Sequence, residues 1–104
     1  MKSKRDHNYW VYITTNINRK SLYTGVTNNL ARRMMEHKEA TELNKKTFAG
    51  QYKCYYLIYF EHFQYILDAI AREKHIKGWT RKKKEDLINL FNPEWDFLND
   101  KIEL

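Results

Sequence analysis

Glu73 is the first residue whose type and place call for an explanation. It falls in the apolar stripe of a helical segment, between Ile70 and Ile76. A carboxylate is expensive to bury unpaired. It therefore needs either a cation, such as Arg33 or Lys77, or a metal ion facing a cleft. Arg33 and His37 are four residues apart and share one helix edge. A guanidinium fork suits phosphate and an imidazole of ordinary pKa suits proton shuttling, although the same pair also fits a solvated helix flank. Tyr12 and Tyr23, eleven residues apart, lie on neighbouring strands of one hairpin. They read as a cross-strand aromatic pair or as the phenols of a site. Phosphodiester hydrolysis asks for a base to activate water, charge opposite the phosphoryl oxygens, and stabilisation of the leaving oxygen, for which a metal held by a carboxylate serves well.

The elements that must position these groups can be read from periodicity. Tyr9 to Thr14 alternates, with Tyr9, Val11 and Ile13 on one face and Trp10, Tyr12 and Thr14 on the other. Ser21 to Val26 alternates likewise, and the polar residues 15–20 join the two strands as a hairpin loop. Thr27, Asn28 and Asn29 offer N-caps for a helix over Leu30 to about Lys38, with Leu30 and Met34 inward and Arg32 and Glu36 toward solvent. Residues 39–52 read as a loop, and Lys53 to Phe60 as a third, well-buried strand. Phe63 to Lys77 reads as a helix with a stripe of Phe63, Ile66, Leu67, Ala69, Ile70 and Ile76, ended by Gly78 as C-cap. Thr80 caps a last helix that stops at Phe91, before Asn92 and Pro93. Its first turn, Arg81 to Lys84, places four cations against the helix dipole. The tail is expected to pack through Trp95, Phe97 and Leu98. The order β-β-α-β-α-α predicts an α+β fold, a three-stranded antiparallel sheet flanked by helices, in one domain over residues 1–104 with its core at about 8–98.

Composition narrows the classes. Eight Tyr, five Phe and three Trp are too many for a disordered tail. The lone Cys54 excludes an internal disulfide and reads as a small buried apolar residue. No apolar run approaches the ~18 residues of a membrane span, and the charged N-terminus is not followed by a signal-peptide core. A cytoplasmic location is the default expectation. The net charge of +6 sits wholly in residues 1–38, which hold eight Lys and Arg against Asp6 and Glu36; the rest of the chain balances eleven against eleven. Such asymmetry is what a polyanion partner selects.

Five pieces in register resemble the GIY-YIG nuclease superfamily, and in particular its small stand-alone bacterial members. Trp10-Val11-Tyr12 and Tyr23-Thr24-Gly25 resemble the two halves of the signature. Arg33 follows Tyr23 by ten residues, and His37 comes four later. Ala71-Arg72-Glu73-Lys74-His75-Ile76-Lys77-Gly78-Trp79 resembles the helix that carries the family's metal-binding glutamate. Asn92-Pro93-Glu94-Trp95 resembles its closing motif. The resemblance implies a metal-dependent endonuclease. Tyr23 would be the base, with Tyr12 buttressing it or sharing the role. Arg33 would stabilise the phosphorane, and His37 would relay a proton or orient a tyrosine. Glu73 would bind one Mg²⁺ or Mn²⁺. Asn92 would hold the scissile phosphate or the geometry of the site. The chain departs from the pattern at Trp10, where the signature has glycine, and at Val26, where some relatives carry a lysine beside the tyrosine.

DNA is the expected partner ahead of RNA, with weak or structure-dependent selectivity, because the sequence carries no separate DNA-reading module. Lys4, Arg5, Arg19, Lys20, Arg32, Lys45, Lys46 and Arg81 to Lys84 are candidate phosphate contacts. Two other readings compete: a nucleic-acid-binding module of the same fold without turnover, and a protein-interaction adaptor.

Overall fold

The computed structural model describes residues 7–43 and 53–102. Within them the chain forms β1 (Tyr9–Thr15), β2 (Leu22–Thr27), α1 (Leu30–Glu42), β3 (Tyr56–Phe63), α2 (Ile66–Lys77), α3 (Arg81–Phe91) and a final 3₁₀ turn (Asn99–Ile102). The three strands make one antiparallel sheet in the order β2-β1-β3, so the N-terminal strand is central. The α+β class and the order of elements are as the sequence predicts.

The alternation in β1 and β2 sorts side chains onto two faces. Val11 and Ile13 pack with Ile58, Tyr59, Ala69, Ile76 and Ile88 under α2 and α3. Tyr12 packs on the opposite face with Leu30 and Met34 of α1, Leu57, and Leu98 of the tail. The helix starts follow capping chemistry. Asn29 accepts from the Arg32 N–H, and Thr80 from the Lys83 N–H.

Several boundaries differ from expectation. α1 continues past Lys38 to Glu42. β3 starts three residues late and runs on to Phe63, because antiparallel pairing with β1 reaches from Tyr56 opposite Thr15 to Phe63 opposite Tyr9. Phe63 is thus a strand residue, and Ile66 and Leu67 are 40% and 75% exposed. The buried stripe of α2 narrows to Ala69, Glu73 and Ile76, so Glu73 lies at its centre. Gly78 does end α2, but in a right-handed conformation (φ −84°), so no left-handed glycine is needed there. β3 is an edge strand. Its edge is covered by the tail: the Leu98 N–H bonds the Leu57 carbonyl at 2.7 Å, and Asn99 accepts from the Leu57 N–H and donates to the Tyr55 carbonyl. That covering is how an edge strand stays buried.

Candidate active site

The site is built around Tyr12, at the middle of the central strand. Its ring extends over Gly25, its cross-strand partner on β2. A Cβ at position 25 would stand 2.4 Å from the Tyr12 hydroxyl, so only glycine leaves room for the ring. The hydroxyl then reaches Nε2 of His37 on α1, at 2.8 Å. Tyr23, beside Gly25 on β2, closes the group, its ring 5.3 Å from that of His37 and 6.2 Å from that of Tyr12. Three elements thus bring two phenols and an imidazole together. His37 is more enclosed than a flank position implies, at 7% exposure.

Electrostatics assigns the proton in this group. Burial, reinforced by the neighbouring Tyr23, pushes the Tyr12 hydroxyl well above the ordinary phenol range. Burial, with the Arg33 charge second, lowers His37 to about 4. Tyr12 therefore keeps its proton at neutral pH and shares a hydrogen bond with a neutral His37, whose tautomer sets which of the two donates. Arg33 sits half-buried on the edge of α1, where its charge is felt by both groups. Its Nε lies 3.3 Å from Glu36 Oε1, off the hydrogen-bonding direction, and has no hydrogen-bond partner among the described residues. A shielded guanidinium N–H left unmatched is uncommon.

Glu73 comes from α2, beneath the sheet. It is 8% exposed and is not isolated, because Lys77, one turn on, places its ammonium 2.6 Å from Oε2. The same ammonium stands 5.9 Å from the centre of the Tyr23 ring. Lys77 thereby links the α2 carboxylate to the tyrosine group. Among the described residues no group of three or more His, Cys, Asp and Glu side chains is arranged to hold a metal ion.

Asn92 lies apart from the tyrosines. Its amide donates to the carbonyls of Ile58 and Asp96, both at 2.9 Å, and its oxygen accepts from the Asp96 N–H. Both amide hydrogens are spent, so none is left for a phosphate. The Asn-Pro-Glu-Trp segment is a clasp: Trp95 turns back at φ 54° and bonds Asn89 through its indole N–H at 2.6 Å.

The sequence pattern of the GIY-YIG catalytic domain matches residues 8–86, a span holding both tyrosines, Arg33, His37 and Glu73. The chain belongs to the GIY-YIG family. A UPF0213 protein of Clostridium perfringens is 40% identical over 70 residues, covering 67% of this chain and 72% of that protein. One of Haloquadratum walsbyi is 42% identical over 81 residues, covering 76% and 84%. The solution NMR structure of a UPF0213 protein from Bacillus halodurans superposes with a TM-score of 0.51 at 28% identity, covering 93% of this chain and 96% of that one.

In this GIY-YIG domain the departures have local explanations. Trp10 packs edge-on against His62 at 5.3 Å, so an aromatic ring fills the place of the signature's first glycine. Val26 packs half-buried against the core under α2, and a cation reaches Tyr23 from α2 instead. Lys77 is thus the site residue that strand-by-strand reading misses as more than a salt-bridge partner. Its only signal in the sequence is its position one helical turn after Glu73. The candidate phosphate contacts divide. Arg81 spends its guanidinium on Glu85 and on the carbonyls of Lys20 and Arg19, tying α3 to the β1–β2 hairpin. Lys82 pairs with Asp86 at the surface, and Arg32 reaches Asn28 and Glu36. Those i,i+4 partners, with Lys83 lying over the Trp79 ring at 4.6 Å, offset the unfavourable dipole at the start of α3. Lys20 is exposed on the hairpin. Lys4, Arg5, Lys45 and Lys46 lie outside the described residues.

Proposed function

We propose that this GIY-YIG domain is a metal-dependent endonuclease, acting on DNA ahead of RNA. The observation that carries the reading is Lys77, whose ammonium meets the Glu73 carboxylate on one side and faces Tyr23 on the other. Carboxylate, cation and phenol then belong to one centre. Tyr23, half-buried at the mouth of the group, is the base that takes a proton from the attacking water. Tyr12 keeps its own proton and, through His37, orients the cluster rather than sharing the base role. Arg33, half-buried at the edge of α1, offers the charge of its guanidinium to the phosphoryl oxygens. Lys77 places a positive charge over the Tyr23 ring, 5.9 Å from its centre. Asn92 positions β3 and the tail and does not touch substrate.

The donor set suits one small hard cation. Mg²⁺ is commonly held by one or two carboxylates, with water and substrate phosphate completing its shell. Glu73 is the residue that would hold it, and the ion would compete with the Lys77 ammonium now paired to Oε2. Such an ion supplies charge stabilisation at the leaving oxygen.

The test is a panel of labelled DNA and RNA (duplex, single strand, flap, branch) with Mg²⁺ or Mn²⁺, beside EDTA and the Glu73→Ala variant. Cutting that needs metal and falls at least about a hundredfold in the variant, of the order expected when a principal electrostatic group is removed, is the expected result. Binding without cutting by the wild type would favour the binding-module reading.

A further inference from the structure

A cavity of about 650 Å³ opens on the other side of α1, between that helix, the start of β3 and the C-terminal 3₁₀ turn. The buried stripe of α1 (Leu30, Met34, His37) separates Arg33 on one edge from Met35 and Lys38 on the other. The cavity is walled by flat rings and thioethers. Tyr55 stacks on Tyr56 at 4.4 Å, and Tyr56 on Phe97 at 4.3 Å. The Arg19 guanidinium covers the far face of Phe97 at 4.2 Å. The side chains of Lys38 and Asp100 stand in the same wall, and neither is in an ion pair with a described residue. A largely apolar, aromatic pocket with a few uncommitted polar groups has the make-up of a ligand site.

We propose that this cavity receives an unpaired nucleobase of the nucleic-acid strand being processed. The ligand class rests on the nuclease reading. Stacked rings extended by a planar base are a sequence-tolerant way to hold single strands. Lys38 meets the backbone phosphate, and Asp100 accepts from an exocyclic amino group. The positive charge beside the cavity comes from Lys38 in its wall and from Arg19 behind Phe97. The distance fits too. One helix, ~10–12 Å across with its side chains, separates the cavity from Arg33, and a stacked strand spans that in about three nucleotides at ~3.4 Å each. The proposal makes this domain a reader of overhangs or flaps.

The experiment is binding in EDTA, read by fluorescence anisotropy. It compares a blunt duplex, the same duplex with a single-stranded overhang, and one with an abasic overhang, for the wild type and for Met35→Asp. Met35 is 64% exposed, so this change sets a carboxylate in the cavity without disturbing the core. The abasic arm needs no variant at all. The wild type should hold the base-bearing overhang about tenfold more tightly than the other two, and Met35→Asp should erase that preference while leaving the blunt duplex within about twofold. Equal affinity for base-bearing and abasic overhangs overturns the proposal. So does equal weakening of all three by Met35→Asp, or competition by a free mononucleotide at the affinity of the overhang. Because no metal is present, failed cleavage in the panel above leaves this result standing. A negative result here leaves metal-dependent cleavage standing.

Discussion

At the scale of single residues, the Tyr12–His37 hydrogen bond ties the site to folding. A histidine lowered to about 4 stays neutral in the native state, while in the unfolded chain it titrates at its ordinary value near 6.5. Between those values the unfolded state binds the extra proton, so stability falls as pH drops from about 6.5 toward 4 and is fully present above. The difference corresponds to at most about 3 kcal/mol. Urea midpoints between pH 7 and pH 4 should show this fall, and His37→Gln should flatten it. Gly25 makes a second test. A methyl group at that position meets the Tyr12 hydroxyl and must push the ring off His37. Gly25→Ala is therefore expected to lower stability by about 1–3 kcal/mol, as overpacking does, and to cut cleavage beyond what the unfolded fraction explains. Thermal unfolding and turnover measured on the same sample separate the two effects.

At the scale of elements, the tail does what the sheet cannot do for itself. β3 lies at an edge, and residues 92–99 close it with hydrogen bonds to Ile58, Leu57 and Tyr55. Asn92 is the hinge of that closure. Asn92→Ala deletes three hydrogen bonds and leaves the Ile58 carbonyl unmatched, a loss of about 2–3 kcal/mol. Because the amide has no hydrogen left for substrate, turnover per folded molecule should be nearly unchanged. A large fall in turnover at full folding would return Asn92 to the chemistry. The β-bulge facing Ile13 and Thr14 belongs to the same closure. It lets Ile58 and Tyr59 both join the core under the helices while Leu57 joins the opposite one. No period-2 reading of residues 53–60 could reveal it, because a bulge depends on the partner strand.

At the scale of the whole molecule, the charge of +6 predicts salt-sensitive nucleic-acid binding. The slope of log affinity against log salt should shrink by about one for each lost phosphate contact. Lys82, exposed with only a surface carboxylate as partner, is expected to register there when changed to Ala. Arg81→Ala is expected instead to loosen the hairpin from α3, with a lower melting temperature and little change of slope, since its guanidinium is committed internally.

Much of this protein was legible from residue order. Alternation in residues 9–14 and 21–26 determines which faces meet which core, because strand side chains alternate by stereochemistry alone. The order of residues 8–86 determines the family. Asn29 and Thr80 determine where two helices start, because capping is a local bond. Tertiary structure alone decided the rest. Lys77 reaches Tyr23 only because α2 packs along β2. Tyr12 and His37, twenty-five residues apart, meet only because Gly25 clears a path for the ring. Whether a polar side chain is spent far from home, as Asn92 is on Ile58 and Arg81 on the hairpin carbonyls, depends on neighbours distant in sequence, and no local period encodes them.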